Sequence, residues 1–175
     1  MKRFIRTIIR FVLVVAVLPA PPAQALMKAF TTEELAKYSD IVVSGEVEEV
    51  SSRWSSDGRT IVTRAVVATG EMMKGAAGQR RTVVEYPGGE VGAAGLKVSD
   101  VSPLRKGEKV ILFLRAVGLE NGGTVYAMVG KGQGKYTIHE GGVARKGGFA
   151  VVQGNGPVDY TIFVDSLREK IRRAE

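Results

Sequence analysis

The chain of 175 residues has no cysteine, one histidine and one tryptophan, and aromatic residues make up only 7% of it. Without thiols there is no disulfide staple, no thiolate nucleophile and no thiolate metal ligand, so the fold must be held by its core. A single imidazole, His139, excludes zinc sites built from several histidines. It also confines any histidine-dependent triad to that one position. Proline is scarce beyond residue 22, where Pro87, Pro103 and Pro157 stand alone, so glycine makes most of the turns. No apolar run approaches the roughly 20 residues that a membrane-spanning helix needs.

The first 25 residues have a different character from the rest. Lys2, Arg3, Arg6 and Arg10 form a basic start, Phe11 to Leu18 is apolar, and Pro19, Pro21 and Pro22 precede Ala23-Gln24-Ala25. That order is the tripartite pattern of a cleaved signal peptide, so residues 1–25 read as a leader and 26–175 as a single domain. The apolar run is too short for a membrane anchor, and no cysteine follows it for a lipid anchor. The expected compartment is the periplasm or the exterior. Removing the leader takes four of the 25 basic residues and none of the 18 acidic ones, so the formal charge falls from +7 to about +3. The remaining cations are scattered except for Lys170, Arg172 and Arg173, which suit the end of a helix. A nucleic-acid partner needs a clustered basic patch, and none is expected.

In chain order, Thr31 and Glu34 form a capping box and Phe30 can staple onto Leu35, which predicts a short helix ending near Tyr38-Ser39. Ile41 to Ser51 reads as a strand with Ile41, Val43, Gly45 and Val47 on one face. Val50 breaks that parity, which predicts a bulge near Glu48-Glu49. The polar stretch to Arg59, with Asp57-Gly58, reads as a hairpin loop that carries Trp54. A β-branched strand, Thr60 to Thr69, follows, then Met72-Met73 as a turn of helix, and a third strand over Gln79 to Tyr86. Gly88, Gly89, Gly92 and Gly95 fall within eight residues, ahead of a short strand around Leu96 to Val98. Val110 to Leu114 is an unbroken apolar run, as expected of a strand buried on both faces. Glu120-Asn121-Gly122-Gly123 is a hairpin signal. Shorter strands are expected at Thr124 to Val129, Lys135 to His139, Val143 to Arg145 and Phe149 to Val152. A last helix is expected to begin between Asp159 and Thr161, with Phe163, Leu167 and Ile171 as its apolar stripe. Short strands between glycine turns, with a helix at each end, predict a mainly β domain, a small antiparallel β-barrel.

The chemistry-bearing residues are few. Ser99, Ser102 and Ser166 lack a nucleophile elbow. His139 beside Glu140 is the one pairing that could serve a hydrolase, as a base with nearby carboxylates. The glycine-rich loop lacks the Gly-Lys-Ser/Thr ending of a phosphate loop. Glu90 and Asp100 flank it, but no calcium-loop spacing is present, so no metal and no cofactor is expected. Tyr86, Tyr126 and Tyr136 would be the aromatics of a nucleic-acid face. The partner-facing candidates are Trp54 on its hairpin, and Glu90 and Lys97 around the glycine loop.

Three segments carry a resemblance. They are Ser39-Asp40-Ile41-Val42-Val43-Ser44-Gly45-Glu46-Val47, Glu71-Met72-Met73-Lys74-Gly75, and Pro103 to Leu114 with its Gly107-Glu108-Lys109-Val110-Ile111-Leu112-Phe113-Leu114 core. Together, with Pro87-Gly88-Gly89-Glu90 between them, they resemble an uncharacterised family of exported bacterial proteins. More distantly the chain is similar to netrin-like and tissue-inhibitor-of-metalloproteinase-like domains. The resemblance implies an OB-like barrel with a short N-terminal helix and a C-terminal amphipathic helix. Those inhibitors bind through an N-terminal cysteine, which this chain lacks, so no inhibitory residue carries over. The expected function is non-catalytic binding or scaffolding, the partner being another exported protein or a cell-envelope component. A hydrolase using His139 and a protease-inhibitor-like module are the alternatives.

Overall fold

The structure, a computed structural model, describes residues 29–76, 78–120, 122–147 and 161–174. It is mainly β, with a short helix near the N-terminus and another at the C-terminus. In order come α1 (Thr32–Tyr38), β1 (Ile41–Trp54), β2 (Ile61–Lys74), β3 (Arg81–Pro87), β4 (Gly89–Val91), β5 (Ala94–Leu96), β6 (Lys109–Glu120), β7 (Gly123–Met128), β8 (Lys135–His139), β9 (Val143–Lys146), β10 (Thr161–Phe163) and α2 (Val164–Arg173). The expected leader, residues 1–25, and the strand expected at Phe149 to Val152 lie outside the described residues.

Helix α1 starts as its sequence predicts. The Glu34 backbone N–H donates to Thr31 Oγ1 (3.1 Å) and the Thr31 N–H donates to Glu34 Oε2 (3.0 Å), closing the capping box. Its other end is held from a distance. Lys74 Nζ donates to the carbonyls of Ala36 (2.7 Å) and Ser39 (2.9 Å), where a cation satisfies orphan acceptors at a helix C-terminus.

The large sheet runs β1-β2-β3-β7-β6-β8-β9-β10, and β1 also pairs with β6. The pairings therefore pass through β1, β2, β3, β7 and β6 and return to β1, all antiparallel except β3 with β7. The register of β1 on β2 shifts between Val47 and Glu49, leaving Glu48 as the extra residue of a bulge, as the parity break at Val50 requires. Two details of β1 and β2 differ from the sequence expectation. Met72-Met73 continues β2, because Met72 and Lys74 pair with Val43 and Val42 and the ladder supplies what a helical turn would otherwise provide. Trp54 is the last residue of β1, paired with Ile61, and not part of the loop.

Strand β6 divides the interior. Val110, Leu112 and Leu114 pack with Val43, Val47, Val67, Val84 and Tyr86 on one side. Ile111 and Phe113 pack on the other with Leu35, Tyr136, Leu167 and Ile171. All five residues from Val110 to Leu114 are fully buried. A continuous apolar run fits a strand covered on both faces. Tyr86, Tyr126 and Tyr136 belong to these cores and do not form an exposed aromatic face.

The C-terminal helix begins later than its pattern suggested. Residues 161 to 163 instead pair with β9, so Phe163 is extended and 64% exposed, and the stripe is carried by Leu167 and Ile171 alone. Arg168 clamps the helix to β2 through two bonds to Glu71 (2.8 and 2.9 Å), and Lys170 reaches Glu33 of α1 (3.2 Å). Burial with complete loss of solvent contact predicts that Leu167→Ala lowers unfolding free energy by about 2–5 kcal/mol in urea titration. Phe163→Ala is expected to stay within about 0.5 kcal/mol.

Candidate functional site

Among the described residues a groove of about 970 Å³ lies at the end of the β1-β2-β3 sheet, with a mainly apolar lining. Its floor is Val50, Ser52, Thr63 and Tyr86; one wall is the β4-β5 hairpin, the other the connector from Val98 to Arg105.

The hairpin lies directly on two hydroxyls. Thr63 Oγ1 donates to the Gly88 carbonyl (2.6 Å), so its remaining contact, with Ser52 Oγ (2.8 Å), is one in which Thr63 accepts and Ser52 donates. Gly89 has a φ of 124°, and a Cβ there would stand 2.2 Å from Ser52 Oγ and 2.3 Å from Thr63 Oγ1. Both the conformation and the close approach require glycine. Residues Gly89–Val91 and Ala94–Leu96 then pair with each other, so the expected short strand sits two residues earlier than its apolar content suggested.

The connector is pinned at two points. Leu104 is buried and its N–H donates to the Tyr86 hydroxyl oxygen (3.0 Å). Burial pushes the Tyr86 hydroxyl above its ordinary pKa, and the bond from Leu104 only partly offsets this. Behind the connector, Lys135 Nζ donates to the Pro103 carbonyl (2.7 Å) and to Glu108 Oε2 (2.8 Å), while Thr137 Oγ1 donates to Glu108 Oε1 (2.7 Å). Burial raises the Glu108 carboxyl, but the Lys135 and Thr137 bonds outweigh it and hold the group below its ordinary value. Lys135 itself is pushed down by burial, with Glu108 opposing.

Of the residues expected to meet a partner, Glu90 and Lys97 are exposed on the groove, where Arg105 joins them. Trp54, 47% exposed, is not a lining residue, although it lies on the same face of β1 as Val50 and Ser52. His139 is exposed at the end of β8, opposite Val143, and away from the groove. Asp100 is ion-paired with Lys131, whose hydrogen bond lowers the carboxyl pKa, so the carboxylates at the glycine loop do not converge on one point. Among the described residues no group of three or more histidine, aspartate or glutamate side chains could hold a metal ion.

Ser52, Thr63 and Glu108 were not singled out by sequence reasoning. A signal for the first two was present, since counting outward from the Asp57-Gly58 turn places Ser52 opposite Thr63, and the two do pair. Nothing comparable marks Lys135 as the partner of Glu108.

No protein-family model matches the chain, and no curated protein matches it.

Two expectations follow from this geometry. Gly89→Ala should destabilise the fold by at least about 1 kcal/mol, whereas Glu90→Ala should leave the melting curve within about 0.5 kcal/mol of wild type. Thermal denaturation of the pair checks both.

A third expectation concerns acid. Between the depressed folded pKa of Glu108 and its ordinary value of 4.5, the unfolded chain binds more protons than the folded one. Stability from this group is therefore complete above that ordinary value and is lost as pH falls through the folded pKa. Urea titrations at neutral pH and below pH 4 should show a smaller acid loss in Glu108→Gln than in wild type.

Proposed function

We propose that this chain is an exported, non-catalytic binding protein that takes an apolar ligand or partner segment in the groove beside the glycine hairpin. The observation that carries the reading is the groove itself. It has an apolar lining over a rigid hydroxyl floor, two rim cations, and no nucleophile-base pair among its lining residues. We further propose that the ring of pairings is a small OB-like barrel. Five strands joined in a cycle, with the single parallel contact between β3 and β7, support that reading.

The compartment rests on the basic and apolar leader pattern, and the mature chain should begin at Leu26. Intact-mass measurement of the exported protein tests this, and a chain that retains residues 1–25 would overturn the cleaved-leader reading. Among the described residues no helix is long and apolar enough to cross a membrane.

A fluorescent anionic apolar dye is the direct probe of the groove. Wild-type protein should enhance its emission, and Leu96→Glu, which places a carboxylate on the apolar wall, should weaken dye binding by about tenfold or more, as expected for a buried charge without a partner. Equal dye binding in both proteins, with both folded, would place the binding surface elsewhere. The hydrolase alternative gains no support from the position of His139 outside the groove lining.

A further inference from the structure

Among the described residues, one long stretch of β1 is paired along one edge only. β6 covers β1 from Ile41 to Glu46, and Val47 bonds the turn before β6 through the Glu108 carbonyl and the Gly107 N–H. From Val50 to Trp54 no described strand pairs with that edge of β1. The hydrogen-bond alternation fixes which groups face outward. Ser55 N–H bonds the Thr60 carbonyl, so the pair next to it, Trp54 with Ile61, is a non-bonded one, and indeed the Ile61 carbonyl accepts from the N–H of Gly88, just after β3. Val50, Ser52 and Trp54 therefore turn their N–H and C=O groups to the open edge.

Of the usual protections this edge has the bulge at Glu48 and the charge of Arg53. It carries no lysine and no proline, and Val50 and Trp54 are large apolar side chains with substantial exposure.

We propose that a second copy of this chain adds to that edge, the two β1 strands pairing antiparallel about a two-fold axis at Ser52. The pattern is self-complementary. With Ser52 opposite itself, Val50 faces Trp54 of the second copy and Trp54 faces Val50, on one surface of the joined sheet. On the other surface, Ser51 faces Arg53, and Arg53 lies diagonal both to Glu49 and to Arg53 of the second copy, so the charges on this surface give no net preference. Arg53 is drawn across β2 to Glu85 of β3 (2.7 Å), away from the open edge, so the pairing of Val50 with Trp54 carries the contact. Because Val50 lines the groove, Trp54 of the second copy extends the groove wall beyond the monomer. The contact is short, which makes the association weak and concentration-dependent.

The test uses the mature chain and its only tryptophan. Sedimentation velocity and Trp54 emission are followed from about 1 µM to about 500 µM, a range suited to a small interface. A monomer-dimer transition with a matching blue shift of the emission is expected. Val50→Lys sets a cation on the edge, and Ser52→Pro removes an outward N–H, so each should raise the dissociation constant at least about tenfold. Their melting temperatures report whether each variant remains folded, and the exposed Val50 site keeps the test valid should Ser52→Pro fail to fold. A chain that stays monomeric throughout the range, or a dimer that both folded variants retain, would overturn the proposal. Sedimentation does not depend on dye binding, so the groove reading and this one can fail separately.

Discussion

A strand with no wet face is the constraint on which this structure depends. Val110 to Leu114 of β6 alternate between two apolar clusters, and each cluster has to be closed by other parts of the chain. On one side β1, β2, β3 and β7 close around it; on the other α1, α2 and β8 do. At roughly 25 cal/mol per Å² of apolar surface removed from water, five fully buried large side chains make this strand a leading source of stability. The polar groups at its start are arranged to leave none unpaired. Glu108 takes Lys135, Thr137 and the Arg105 N–H (3.1 Å), so the sheet, the connector and the entrance to β6 share one ion pair. Removing one partner of such a pair is costlier than never having built it, because the other charge stays buried.

The groove is a consequence of how this core ends. Leu104 plugs it and the glycine hairpin rests on Ser52 and Thr63, so the floor is closely packed while the rim carries exposed charges at Glu90, Lys97 and Arg105. The bulge at Glu48 adds a further effect. Before it, Val43 and Val47 point into the core; after it, the inward parity passes to Val50, Ser52 and Trp54. One extra residue thus gives the open half of β1 side chains that face the groove and backbone groups that face the open edge. Val50 and Ser52 thereby line the groove while their backbone N–H and C=O groups lie on the unpaired edge.

Much of this was legible in the sequence where local rules dominate. The capping box of α1, the bulge, the Glu120 to Gly123 hairpin and the two-sided burial of β6 each follow from a few neighbouring residues, because helix capping and strand periodicity are short-range. Glu90 and Lys97 were placed at an exposed glycine loop for the same reason. What tertiary structure alone decided involves pairs far apart in the chain. Lys135 finds Glu108, Lys74 caps α1, and the strand at Thr161 to Phe163 interrupts what reads as helix periodicity because β9 offers it hydrogen bonds. Met72 and Met73 are extended for the same reason, since β1 supplies a ladder that no local propensity reveals. Local sequence sets the conformations a segment favours at a cost of about 1 kcal/mol or less per residue. Backbone pairing and burial across the fold are larger than that, and they choose among those conformations.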